Sequence, residues 1–452
     1  MRLFIYFRVF FNARFYYPVF TVLFLDFGLS IEQFALLNVA WAATIVLLEV
    51  PSGALADTWG RKNLLIAAGA LMVAEMALLS FAPRGHPNIL FIIFLVNRIL
   101  SGAAEAAASG ADEALAYDSL QKEGNVTDWG IVLELQMRLQ AIGFIIAMSL
   151  GAAVYDPVLV QNFLDWMGIG ASVSQNVTLR FPVLLTLVMA VMTLLTALQM
   201  QEITTDAGNR GTASAGSKMQ MVLRSFKLTL QTGTWILKTP YALVIILIGL
   251  VFDSSLRMAV TLASQYYRLI QLPEALFGLI GSAIAIVGLV VPRIARAMVD
   301  NRSPEFNLVV MTALAISGLA GMTLFLPLIG IIPLVLISAA MYLLRFFQSH
   351  YLNRITSSEQ RATVLSFKGL SMNLAYGLVG ILYSLLVSYL RTATKNLGSA
   401  AQDMTAEAIE NTVFIKAMGW FPWYFSITVF VVLAYGAWRL YLHKNSRKRI
   451  DA

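Results

Sequence analysis

At 452 residues, with 58% hydrophobic and only 13% charged side chains, the chain is too apolar for a soluble globular protein, in which about a quarter of residues are charged. The lack of cysteine excludes disulfides and thiolate metal sites. The net charge of +7 comes from basic residues scattered between apolar runs, which suits loops held on one side of a membrane and argues against a nucleic-acid surface.

Apolar runs of about 20 residues, enough to cross a bilayer, recur along the whole chain. Twelve spans are predicted, over 3–26, 33–55, 64–82, 89–111, 131–154, 181–201, 240–263, 275–298, 306–326, 329–350, 363–390 and 419–442. The fold class is therefore an all-α integral membrane protein. The opening stretch MRLFIYFRVFFNARFYYPVF has no small-residue cleavage site and reads as the first span, not a signal peptide. Loop and terminal cations such as Arg2, Arg61, Lys62, Lys218, Arg354 and Lys448 fall on one side of this topology, and fewer, such as Arg84, Arg180 and Arg268, on the other. The richer side is expected to be cytoplasmic, with both termini there.

Residues 202–239 form the longest cytoplasmic connection and divide 1–201 from 240–442, leaving 443–452 as a basic tail. The connection opens as a Gly/Ser/Thr-rich linker and continues in mixed apolar and basic sequence that suits an interfacial helix.

The stretch between the second and third spans reads Gly53-Ala-Leu-Ala-Asp57-Thr-Trp-Gly60-Arg61-Lys62. Read plainly, it is a charged turn. Gly53 and Gly60 would permit close helix approach and a sharp reversal. Asp57 would sit against a helix N-terminus, and Arg61 and Lys62 would hold the turn in the cytoplasm. The stretch resembles the G-x-L-x-D-x-x-G-R-K signature of the major facilitator superfamily. Arg98 and Gly102 fit that family's R-x-x-x-G pattern, Asp118 stands where it places an acid near the inner end, and 351–366 resembles the loop opening the eleventh span in bacterial members. The resemblance implies two pseudo-symmetric six-helix bundles and a clamp at the inner gate formed by Gly53, Asp57, Gly60, Arg61, Lys62 and Asp118. It also implies a bacterial inner-membrane location. The Gly-Pro pattern of the family's antiporters is missing from the fifth span, which has Gly143 and Gly151 instead.

Ionisable groups inside a span are costly and usually functional. Arg14, Glu75, Arg98, Glu105, Glu134, Arg138, Asp253, Arg257 and Arg345 are such groups. Arg98, Glu105 and Asp112 are spaced by seven residues and would form one polar stripe. Glu105 is the leading proton-coupling candidate, with Arg98 as its partner and Asp112 and Glu75 next in line. The alternative is that these charges pair with neighbouring helices and hold the bundle together. Asp253 and Arg257, four residues apart, either line a cavity or neutralise each other. Arg14, with Tyr17 among its aromatic neighbours, suits an anionic or amphipathic solute. Arg345, Gln348 and Tyr376 complete the candidate substrate cavity.

No nucleotide-binding loop, metalloprotease motif or serine-hydrolase elbow occurs, so no enzymatic activity, cofactor or metal is expected. The sequence supports a secondary transporter that moves a small organic solute by alternating access, coupled to protons and leaning to efflux. The alternatives are organic-anion uptake or exchange, or a transport-dead sensor on the same fold. The expected partners are the solute, protons and the lipid bilayer, with the chain acting as a monomer.

Overall fold

The structure, a computed structural model, describes residues 1–109, 111–123, 129–201, 233–356, 358–396 and 404–450. Among these residues it is built from α-helices joined by short turns, with no strand. Eleven helical stretches are long and apolar enough to cross a membrane. The predicted first span makes the twelfth, and it is missing from that count because it is broken.

Its pieces are α1 (Arg2–Asn12), a single 3-10 turn (Tyr17–Val19) and α2 (Phe20–Phe27). Pro18 has no backbone N–H to donate and cannot continue a helical ladder. The freed backbone is satisfied from outside the helix, since the Phe15 amide donates to Thr186 Oγ1 at 3.0 Å. Gly151 makes room for the bend, because a Cβ there would overlap the Phe15 carbonyl. Broken backbone at membrane depth persists only where protein groups re-satisfy it.

The second span, α3 (Ile31–Trp59), opens with a capping box between Ser30 and Gln33. It corrects the reading of the signature stretch. Residues 53–59 are helical, not a loop. Gly53 is exposed, and a Cβ there would meet nothing within 4 Å, so it serves no close approach. The reversal falls on Gly60 alone (φ 98°, ψ 143°), and α4 (Arg61–Ser80) starts at the next residue. A side chain at φ near +98° would be strained, which is why glycine occupies the turn.

The fourth span is also shorter than predicted. It ends as α5 (Pro87–Ala108), Ser109 leaves helical geometry, and α6 (Ala111–Glu123) follows. The unit continues with α7 (Trp129–Tyr155), the short helices α8 (Pro157–Trp166) and α9 (Gln175–Thr178), and α10 (Phe181–Gln199). Small residues set its packing distances. Gly102 brings α5 against Trp41 and Thr44 of α3, and Gly69 brings α4 against the backbone of Leu194 in α10.

The second half contains α11 (Pro240–Thr261), α12 (Ala263–Leu269), α13 (Glu274–Asn301), α14 (Pro304–Met322), α15 (Ile331–Ile355), α16 (Ser358–Lys395), α17 (Ala406–Met418) and α18 (Phe421–Ile450). Gly249 of α11 is overlaid by Gln348 of α15 and Met372 of α16, so three helices converge there.

The chain divides into two compact units, Met1–Ser225 with Leu272–Ser282, and Phe226–Gln271 with Ala283–Ala452. The start of α13 clusters with the first unit instead of with 240–442. Gly278 packs against the Met148 backbone, and the Ala275 amide donates to the Asp156 carboxylate at 3.2 Å. Of the expected connection, residues 202–232 lie outside the described residues, and 233–238 are helical. In the expected basic tail, α18 continues as helix to Ile450, and 451–452 lie outside the described residues.

Candidate functional site

The break in the first span turns Arg14 into the interior of the first unit. Its guanidinium forms an ion pair with Glu75 of α4, and both side chains are buried. Arg14 Nε donates to the Phe11 carbonyl at 3.3 Å, and the guanidinium lies 5.3 Å from the Phe11 ring centroid. Asn97 of α5 donates to the Glu75 carbonyl oxygen at 2.8 Å. Glu75 Oε2 is buried and has no hydrogen-bond partner.

Glu105, one helix over, is exposed although charged groups surround it, with Arg14, Glu75, Arg8 and Arg98 all within electrostatic reach. Among the described residues Glu105 makes no ion pair or side-chain hydrogen bond, so the Arg98–Glu105 contact expected from spacing does not form. Arg98 is held elsewhere. It donates to Asn38 Oδ1 at 3.0 Å and stacks 5.2 Å from the Phe20 centroid and 5.3 Å from that of Trp41. Asp112 also leaves the expected stripe, because the helix ends between it and Glu105 and a separate helix, α6, carries it. It pairs with Arg8 of α1 at 3.0 Å, while Arg8 also donates to Glu113 at 2.6 Å. Tyr17 is 45% exposed and edge-on to Tyr16.

Next to the Gly60 turn, Arg61 forms an ion pair with Asp118 across α4 and α6. Lys62 follows it in the first turn of α4, and Gly60 positions both. Asp57 is in the last turn of α3, and its side chain lies outside the described residues. Gly53 sits one turn earlier and takes no part in the turn.

In the second unit Asp253 and Arg257 do neutralise each other, as an i,i+4 ion pair along α11. Arg257 is further held by Asn373 Oδ1 at 2.9 Å and by the Tyr376 ring at 5.0 Å. The Tyr376 hydroxyl lies 3.2 Å from Thr261 Oγ1. Gln348 is buried and donates to the Ile245 carbonyl at 3.4 Å, so it packs helices together across Gly249. Arg345 is exposed on α15. Glu134 and Arg138 form a 3.6 Å pair that is about 70% exposed, which makes it a surface contact.

Several neighbours were missed in the sequence. Asn38, Trp41 and Asn373 carry no charge and give no periodic signal. Lys368 of α16 was absent from the intramembrane charges because it falls near the start of the predicted eleventh span. It is half-buried, with Asp253 and Arg345 as the charged groups acting on it.

Twelve spans, with charged pairs inside their helices and an Arg61–Asp118 ion pair beside the Gly60 turn, define a polytopic membrane protein. The Major Facilitator Superfamily model matches residues 2–380, and the chain belongs to that family. No match was found among curated protein sequences. Among solved structures, the chain is similar to a mutant form of the nucleoside transporter NupG (13% identity, TM-score 0.67, covering 96% of this chain and 98% of that one). It is also similar to a bacterial homologue of the human lysosomal transporter Spinster in an inward-facing, unoccupied conformation (14%, 0.66, 97% and 96%). A third is a POT family transporter in complex with 5-aminolevulinic acid (14%, 0.63, 97% and 96%). At these identities the likeness establishes the fold.

Proposed function

We propose that this protein is a secondary active transporter that moves a small organic solute by alternating access and couples the movement to protons. The Arg14–Glu75 ion pair, with Glu105 beside it, carries this reading. Arg14 is paired with the buried Glu75, and the exposed Glu105 stands on the neighbouring helix. Protonation of Glu105 would weaken its hold on Arg14 and strengthen the Glu75 pair, and loss of the proton would do the reverse. A ligand shifts a conformational equilibrium only by interacting differently with its two states, and a proton that changes which carboxylate holds Arg14 would do so. Within the first unit the solute would be contacted by Tyr17 and Arg14.

The Arg61–Asp118 pair serves as the inner clamp, with Gly60 shaping it and Asp57 and Lys62 flanking it. The chain acts in the inner membrane with both termini cytoplasmic, as a monomer, and the direction of transport is efflux. The test is solute counterflow in proteoliposomes holding the purified full chain, with and without an imposed proton gradient. Gradient-dependent accumulation supports the reading. Solute binding without counterflow would instead support a sensor on this fold, and accumulation indifferent to the gradient would remove proton coupling.

A further inference from the structure

The geometry points to a binding site in the second unit for one acyl chain of a phospholipid from the surrounding bilayer, in a cavity between α11, α14, α15 and α18. The site does not depend on the transport activity proposed above.

Four membrane-crossing stretches enclose a cavity of about 280 Å³ where α11 and α14 begin and α15 and α18 end. Its lining is graded in exposure. Met311, Leu344 and Phe347 are buried and form its floor, whereas Tyr241, Ala437 and Leu440 are exposed and form its mouth. The polar groups further in are already engaged. Gln348 donates to the Ile245 carbonyl at 3.4 Å, and the Tyr351 hydroxyl accepts from Asn307 at 2.8 Å. A buried water needs roughly two to four polar partners, and an apolar cavity of about 150 Å³ already stays dry and takes an apolar guest. This hollow therefore suits hydrocarbon.

The surroundings of the mouth identify the source of that hydrocarbon. Phe306 and Val309, on either side of the lining residue Leu308 in α14, are exposed, as expected of a helix face that meets lipid. On α18, Trp438 and Tyr441 follow Ala437 and Leu440 and are exposed as well. Aromatic side chains of this kind collect at the membrane–water boundary, so the mouth opens near headgroup depth and the floor lies deeper. Arg439 of α18 donates to the Leu237 carbonyl at 2.8 Å, four residues before Tyr241, and Glu305 belongs to the exposed lining. The rim thus carries one charge of each sign, and recognition rests on the chain and not on headgroup charge. The occupied site has a structural consequence. Gln348 and Ile245, which line the cavity, also join α15 to α11 above Gly249, so a bound chain packs against that joint.

The experiment is native mass spectrometry of the purified full chain after incubation with one of three probes. Dioleoyl phosphatidylcholine is the reference, dioleoyl phosphatidylglycerol changes the headgroup charge, and glycerophosphocholine keeps a headgroup but has no chains. The expected result is one tightly retained molecule of either phospholipid per chain, and none of glycerophosphocholine. Leu308→Trp fills the cavity, and Ala437→Trp covers its mouth from an exposed position. Each should lower retention on the order of tenfold or more, which is what excluding about two methylenes from an apolar site costs. Val309→Trp, on the neighbouring outward face, should leave retention unchanged. If Leu308→Trp does not fold, Ala437→Trp decides alone. Unaltered retention in a folded cavity variant, an equal loss in Val309→Trp, retention of the chain-free probe, a tenfold preference for one headgroup, or no tightly held lipid would each overturn the site. None of these outcomes bears on solute counterflow, which tests the transporter reading separately.

Discussion

Arg14 and Glu75 form an ion pair buried inside the first unit, although they are separated in sequence by a whole span and a turn. The pair exists because the first span breaks at residues 13–16. An unbroken helix would continue its ladder through Arg14, and Gly151 and Thr186 would have no bend to accommodate. The break costs backbone hydrogen bonds, which Thr186 partly replaces, and it delivers a cation to an otherwise isolated carboxylate.

Removing one partner of this pair should therefore be costly. Glu75→Ala and Arg14→Ala should each destabilise the protein by about 3–5 kcal/mol, because a buried charge is left uncompensated. The double variant should be closer to wild type than the sum of the two. A double-mutant cycle on melting temperature in detergent measures the coupling, and strict additivity would show that the two charges do not interact.

Glu105→Gln should abolish accumulation driven by a proton gradient and preserve solute exchange at equilibrium. The amide keeps the shape and loses the titration. Parallel accumulation and exchange assays separate these effects. If accumulation persists, Glu75 becomes the proton carrier, since its Oε2 is buried without a partner.

Arg61→Ala and Asp118→Asn should each cut transport strongly while leaving membrane insertion intact, and the exchange of the two charges, Arg61→Asp with Asp118→Arg, should recover part of the flux. Initial rates, normalised to protein in the membrane, check this. Wild-type rates in both single variants would remove the clamp. The stability effect should be small, because the pair is partly exposed and such pairs contribute about 1 kcal/mol or less.

Two glycines give opposite predictions. Gly151→Ala places a methyl group on the Phe15 carbonyl and should destabilise by at least about 1–3 kcal/mol, as overpacking does. Gly53→Ala meets open space in a helix interior and should stabilise by roughly 0.5–1 kcal/mol. Melting temperatures of the two variants decide. A destabilised Gly53→Ala with intact packing elsewhere would point to a partner for that face in another state of the transport cycle.

Thr186→Val removes the hydroxyl that accepts the Phe15 amide. An unsatisfied buried donor costs about 1–3 kcal/mol, and the loss should fall on the broken segment first. Hydrogen exchange at Phe15 should accelerate more than at the centre of α4. Uniform protection would show that the backbone there is satisfied some other way.

Much of the fold was legible in the sequence, because the bilayer imposes a one-dimensional rule. A span must be apolar for about 20 residues, and the chain keeps that rule almost everywhere. The Asp253–Arg257 pair was legible too, as one of two open readings, because an i,i+4 spacing on a helix sets its own geometry. The seven-residue stripe from Arg98 to Asp112 misled for an equally physical reason. Periodicity describes one continuous helix, and it says nothing once Ser109 leaves helical geometry.

Composition, span length and the short signature around Gly60 determined by themselves that this is a twelve-span member of a transporter family, since these depend on local chemistry and on the membrane as solvent. Which charge meets which was decided only by tertiary structure. Arg14 reaches Glu75, Arg98 goes to Asn38 and two aromatic rings, and Asp112 goes to Arg8. Each of these depends on how helices far apart in sequence are rotated and spaced by small residues such as Gly102, Gly151 and Gly249, and no sequence spacing records a rotation between two helices.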